Sequence, residues 1–454
     1  MQKYPLYKLC QNVSRRFDFK NHEDVIFINT GDVQENKFLH NTLTHKNELP
    51  GQAKKAIENG DILFSEIRPK NSRHKLISEE NVSNYVVSTK FMVLKANNEL
   101  ITPEFLYILI TSKNVVEYFQ LIAESRSGTF PQITFEAISN YEVSIPNKVQ
   151  QNIISEYINN YNRKIELNTQ TNQTLEQIAK GIFKHWFIDF APVHAKANAL
   201  ARGETIEQAE LAAMACLSGK TAEKITALKT QDPTAYHQLQ QTAAAFPSEF
   251  VETEMGQVPK GWEICSITDK RVCSIIKPKI HHFSGEKDYI ATANVSQNTI
   301  VGELEKITFD NRPSRANMQP IVDSIWFAKM VGEHKAIMID KNDEFLLKNT
   351  ILSTGFLGIK PQQYKKCFLY CFINSENFTL LKNSLATGAV QIALNNTSFS
   401  SMNIILPSDN VLEYFENKVS KLFSKIATNH RENKSLAETR DLLLPKLLNG
   451  EIEL

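Results

Sequence analysis

QQNIISEYINNYNRKIELNTQTNQTLEQIAKGIFKHWFIDF, residues 150–190, contains no proline, and Gly181 is its one helix breaker. Apolar residues recur along it at alternating spacings of four and three: Ile154, Ile158, Tyr161, Ile165, Leu175, Ala179, Ile182 and Trp186. Asn168 and Asn172 occupy the same register. A four-three apolar repeat held over several heptads predicts a long helix that packs along a seam, and Asn in such a seam fixes register at some cost in stability.

The stretch has a counterpart 261 residues downstream. The same register there holds Phe415, Val419, Leu422, Ile426, Asn429, Asn433, Leu436, Arg440, Leu443 and Leu447, so both Asn pairs recur at one offset. Two packings fit this pattern. In one, the two long helices pack on each other as an antiparallel coiled coil, with a pseudo-twofold axis near the asparagines. In the other, each helix packs only on its own domain and the Asn lie on a solvated edge. About 38 residues at 1.5 Å per residue would give a helix of about 57 Å.

The repeat extends upstream. FINTGDV (27–33) aligns with YIATANV (289–295), GDILF (60–64) with VDSIW (322–326), FLYILI (105–110) with FLYCFI (368–373), and YEVSIP (141–146) with MNIILP (402–407). Residues 1–193 and 262–454 are thus two copies of one unit, separated by the unrepeated stretch 194–261. A period this long denotes a duplicated domain rather than a solenoid. Strand-like segments such as YVVSTKFMVL (85–94) and TILSTGFLGI (350–359) alternate with short helices at 103–112 and 364–373, which predicts an α+β globule in each copy. The expected boundaries are 1–146, first globule; 147–190, first long helix; 191–261, insert and linker; 262–407, second globule; and 408–454, second long helix. Within the insert, Thr205 is a natural N-cap and Gly219 a natural stop, and FPSEFVETEMGQVPKGW (246–262) is expected to be an extended linker.

Composition excludes several classes. The chain has 454 residues, 51 Lys+Arg against 50 Asp+Glu and 42% hydrophobic residues, as an ordinary globular protein does. No apolar run reaches the roughly 18 residues of a membrane span, and the six unevenly spaced cysteines fit reduced thiols of a cytoplasmic protein. No phosphate loop, dinucleotide turn or H-E-x-x-H helix occurs. Three look-alikes carry structural readings instead. DPTAY (232–236) lacks the second proline of a methyltransferase tetrapeptide. Pro407, Asp409, Glu416 and Lys418 imitate a nuclease motif at the start of a long helix, and Cys265, Cys273, Cys367 and Cys371 lack zinc-ribbon spacing. No catalytic residue and no metal ligand is assigned.

Local charge is the remaining signal. Arg68, Lys70, Arg73, His74 and Lys75 follow the strand GDILF with no acidic residue among them. Such a loop presents cations to phosphates and base edges, or is a solvated surface. The second copy offers Arg312, Arg315, Lys329 and Lys335. SGTFPQI (127–133), with Thr129 and Gln132, and TGAVQIA (387–393), with Gln391, are small loops before the last strand of each copy. Gln is suited to bidentate contact with adenine. The first globule holds 17 basic and 17 acidic residues and the second 16 and 13, so any DNA-facing surface is local.

GIFKHWFIDFAPV (181–193), FPSEFVETEMGQVPKGWE (246–263) and LLPKLLNGEIEL (443–454) resemble the conserved stretches of the specificity subunits of type I restriction–modification enzymes. The resemblance covers the whole chain. It implies two target-recognition domains that each read half of a split, asymmetric double-stranded DNA sequence, joined by two conserved helices whose antiparallel coiled coil sets the spacing. It implies no catalysis and no cofactor in this chain, two modification (methyltransferase) subunits as partners, and restriction (motor-nuclease) subunits added through the complex. Those partners would use S-adenosylmethionine, ATP and Mg. It also implies that Phe183, Trp186, Phe187, Phe190, Leu443, Leu447 and Leu448 lie at or beside the modification-subunit interface or under the helix pair.

Overall fold

The computed structural model describes residues 1–78, 81–126, 131–332, 334–386 and 392–452. Two compact units divide the chain: Met1–Asn168 with Arg431–Leu454, and Thr169–His430. The two long helices, Lys148–Phe183 and Asp409–Asn449, are 36 and 41 residues long, so each contributes a stretch to both units. The domain boundaries read from sequence assign each helix to one copy, whereas the compact units share them.

In the first unit, one sheet runs Cys10–Asn12, Phe91–Ala96, Asp61–Ser65, His74–Leu76, with every pairing antiparallel. A second runs Leu43–His45, Asp24–Ile28, Tyr85–Ser88, Ala53–Ala56, its central pair parallel. Strand Asp61–Ser65 is buried along its whole length because both faces are covered. Ile62 and Phe64 pack with Phe105, Leu106 and Phe119 of helices Pro103–Ile110 and Lys113–Arg126. Leu63 packs on the other face with Ile28 and Val87 of the second sheet. The unit is therefore a helix–sheet–sheet stack, and this strand's unbroken apolar run is what such a double-sided position demands. Strand Gln2–Pro5 pairs antiparallel with Glu142–Ile145 and ties the N-terminus beside the start of the long helix.

The second unit repeats this topology. Its sheets run Cys273–Ile276, Phe356–Pro361, Ser324–Ala328, Ala336–Ile339 and Glu305–Ile307, Lys287–Ile290, Thr350–Ser353, Ala316–Met318, again with one parallel pair, and Glu263–Ser266 pairs with Asn403–Leu406. Ser324–Ala328 is likewise fully buried. The insert supplies four helices, Ala191–Ala201, Ile206–Ser218, Ala222–Gln231 and Pro233–Ala245. Thr205 and Gln208 form a reciprocal capping box, and Gly219 ends that helix at φ +65°. The expected linker is instead a hairpin, Phe250–Thr253 with Gly256–Pro259. Gly256 takes φ +86° at its turn, a conformation that favours glycine, so the chain reverses there rather than running on.

The helices pack on each other in both units. In the first, Asn168 donates from Nδ2 to Oδ1 of Asn433 at 2.9 Å and to Glu432 at 3.0 Å. In the same unit Arg440 donates to Asn162 at 2.7 Å, so the pairing runs antiparallel. In the second, Asn429 donates to Asn172 at 2.8 Å, and the Phe183 and Phe415 rings meet at 6.2 Å. None of the twenty register positions named from the sequence is exposed. This excludes the arrangement with Asn on a solvated edge.

The antiparallel pairing also determines where the helix tails go. Phe183, Trp186 and Phe187, with Phe190 at the margin, join Phe246, Trp262, Phe368 and Phe415 in the second unit's core. Leu447, with Leu443 and Leu448 beside it, joins the first unit's core. Phe183, Trp186, Phe187 and Leu447 are 6% exposed or less, so these side chains are interior to the chain and form no open partner-binding surface. Among the described residues no helix is long and apolar enough to cross a membrane.

Candidate nucleic-acid interface

In each copy the fully buried strand ends in a loop held by the same backbone hydrogen bonds. In the first, Ser65 N donates to Arg73 O, Glu66 N to Lys90 O, Thr89 N to Gln52 O, and Ile133 N to Glu66 O, at 2.8–3.0 Å. In the second, Ala328 N donates to Lys335 O, Lys329 N to Gly355 O, Thr354 N to Arg315 O, and Leu394 N to Lys329 O, also at 2.8–3.0 Å. Isolated bridges Ile67–Gln132 and Met330–Ala393 complete the match. The framework is duplicated while its side chains are not. Glu66 stands where the second copy has Lys329, Gln52 where it has Arg315, and Gln132 where it has Ala393.

Three of the first copy's expected cations remain available. Arg68 and Lys70 are exposed and Arg73 is half-buried, and among the described residues no carboxylate forms an ion pair with any of them. The loop is shaped for presentation. Arg68 and Ser72 both adopt the left-handed region at φ +47° and +53°, the backbone of Arg68 donates to Pro131 O, and that of Lys70 donates to Gln120 Oε1 at 3.2 Å.

Lys75 is different. It lies in strand His74–Leu76, is 7% exposed, donates to Asn36 O at 3.1 Å and sits 4.9 Å from the Phe38 ring centroid. Its charge clamps the tight turn at Glu35 and Asn36, so it is a structural residue rather than a phosphate contact. His74 is also interior, stacked on Phe64 and hydrogen-bonded to Tyr107 at 2.9 Å, and burial pushes its imidazole down to about 4.

In the second copy Arg315 is exposed. The Arg312 guanidinium lies over the Phe309 ring, 4.4 Å from the centroid, and donates to the Phe309 carbonyl. Lys329 donates to Thr354 O at 2.9 Å, and burial, reinforced by Lys277, lowers its ammonium pKa. Lys335 is half-buried. Thr129 and Gln391 lie outside the described residues. Gln132 is half-buried and donates from Nε2 to Glu66 Oε2 at 2.8 Å. Glu66 was not singled out from the sequence. Its position two residues after GDILF and seven before Arg73 was the available signal.

The look-alike motifs have structural employment. Asp232 caps a helix by accepting from Ala235 N, Asp409 pairs with Lys365 at 2.6 Å, and Glu416 accepts from Cys367 N at 2.8 Å. Cys273, Cys367 and Cys371 are core thiols that burial raises. The sequence reading also passed over Val149, Ile153 and Tyr157. They are exposed at intervals of four on the first long helix, off the seam, and that spacing could have revealed them.

The family model for the type I restriction modification DNA specificity domain matches residues 8–177. The chain is 41% identical to the type I restriction enzyme HindI specificity subunit of Haemophilus influenzae, across 99% of both chains. It is 24% identical to the MjaIX specificity subunit of Methanocaldococcus jannaschii, across 78% of this chain and 69% of that one. A solved S subunit of a type I restriction–modification system from M. genitalium overlays 98% of this chain and 95% of its own with a TM-score of 0.45 and 13% identity. By its identity over nearly the full length of the first of these relatives, the chain belongs to the specificity subunits of type I restriction–modification enzymes.

Proposed function

We propose that the chain reads a bipartite, asymmetric target on double-stranded DNA and addresses a restriction–modification complex to it. The observation that carries this reading is the duplicated strand-end framework with unlike side chains. Two equivalent loops that expose different polar groups suit two different half-sites. In each unit the long helices pair antiparallel through buried asparagines, and a pairing whose register is fixed in this way suits a constant spacer between the half-sites.

The first loop divides labour as such interfaces do. Arg68, Lys70 and Arg73 supply cations for the backbone, while Gln132, hydrogen-bonded to Glu66, offers an amide for a base edge. In the second domain Arg315 is the most accessible of the expected cations. Two modification subunits, which would use S-adenosylmethionine, dock on the long helices. Val149, Ile153 and Tyr157, apolar and exposed on the first of these helices, support one such contact. Restriction subunits that use ATP and Mg join through the complex. The chain itself performs no chemistry, binds no cofactor and works in the cytoplasm.

A gel-shift of the purified chain, with and without its modification partner, tests the reading. A sequence-dependent shift on target over random duplex, strengthened by the partner, is expected. Equal binding to all duplexes in the presence of the partner would favour a partner-binding scaffold without its own DNA specificity.

A further inference from the structure

Gln132 is held in one orientation by an acceptor. Its Nε2 donates to Glu66 Oε2 at 2.8 Å, and an ionised carboxylate only accepts, so the amide nitrogen must face Glu66. This settles which way the amide points and leaves Oε1 and the second N–H of Nε2 as a paired acceptor and donor. Adenine presents the complementary pair in the major groove, an N6–H donor beside the N7 acceptor. Guanine presents two acceptors there, one of which would meet Oε1 unfavourably. The pair sits at a loop junction fixed by backbone bonds on both sides, Glu66 N to Lys90 O and Ile133 N to Glu66 O. Its neighbours Arg68, Lys70 and Arg73 have no carboxylate partner among the described residues. The second copy has Lys329 and Ala393 at these positions, and Lys329 is turned to Thr354 O.

We propose that Gln132, oriented by Glu66, reads an adenine in the half-site of the first domain, and that the second domain has no equivalent reader at this framework position. The inference rests on the DNA-reading function proposed above. Gln132 is the contacting residue and Glu66 a positioning residue.

The test uses the chain with its modification partner on a duplex carrying the mapped target, with 7-deaza-adenine replacing each adenine of the first half-site in turn. Removing N7 at one position should weaken wild-type binding by roughly tenfold, through loss of one bond of the bidentate pair and the amide N–H it leaves unsatisfied, and should leave the Gln132→Ala complex unaffected at that position. Glu66→Ala should narrow the preference for adenine over guanine at the same position, because the amide is free to flip, with discrimination at the second half-site intact as a folding control. If no position responds, or if both variants weaken every duplex equally, the pair is a loop brace and the inference fails while DNA reading stands. If the wild-type complex shows no sequence preference at all, the DNA-reading function itself fails.

Discussion

Asn429 donates a hydrogen bond from Nδ2 to Oδ1 of Asn172 at 2.8 Å, with both side chains buried in the helix seam at 0% and 4% exposure. Among the described residues Asn429 Oδ1 has no hydrogen-bond partner. Asn429→Leu should cost about 1–3 kcal/mol by stranding the buried Oδ1 of Asn172, which accepts from Asn429. Replacing both by Leu should restore stability or exceed it while loosening register. Equilibrium denaturation of the two single variants and the double one measures the coupling. Additive losses would show that the amides do not depend on each other.

The basic loop separates two kinds of lysine and arginine. Arg68→Ala and Arg73→Ala should each reduce the salt dependence of DNA binding by about one unit of slope if the residue touches phosphate, or cost roughly 1–3 kcal/mol at one base position if it reads an edge. Lys75→Ala should lower the stability of the fold and leave the salt slope of the folded protein unchanged, since its ammonium is spent on Asn36 and Phe38. A salt slope that falls with Lys75→Ala and not with Arg68→Ala would reverse the assignment.

Gly358 faces Trp326 across the second domain's central strand pair, and a Cβ there would fall 2.6 Å from the indole. The structure matches Asp61–Ser65 with Ser324–Ala328, one residue out of the alignment of GDILF with VDSIW, and at the place in the first domain that corresponds to Trp326, Leu63 faces Val93. Gly358→Ala should destabilise the protein by about 1–3 kcal/mol through overpacking. The double variant Trp326→Leu with Gly358→Val, which copies the first domain's pair, should lose less than the sum of its parts, as thermal unfolding would register.

His74 gives a pH signature. Its folded value of about 4 lies below the ordinary 6.5, so between those values the unfolded chain binds more protons. Its contribution is complete above pH 6.5 and is lost as pH falls toward 4, by about 3 kcal/mol at most. His74→Gln should flatten the fall in denaturation midpoint across that window relative to the wild type. Identical slopes would place the imidazole in water.

The duplication, the seam and the short helices were legible because periodicity and spacing record them directly. Leu63–Val93 and its counterpart Trp326–Gly358 illustrate one way in which identity between the copies is lost: a large residue opposite glycine replaces two of middle size. The destination of the aromatic tail was not legible. An apolar cluster at a helix end reads the same whether a partner or the chain's own core covers it, and only the antiparallel pairing decides. Lys75 was misassigned for a related reason, since its partners Asn36 and Phe38 arrive from almost forty residues upstream. Glu66 was passed over as an acidic residue bordering a basic run, though its hydrogen bond orients Gln132.

The most direct measurement is a map of methylated adenines in cells that carry this chain with its modification partner, compared with cells from which the chain is deleted. Two short, unlike half-sites at one fixed spacing, with methylation lost on deletion, is the predicted result. A continuous motif, a variable spacing, or methylation that persists without the chain would contradict the account.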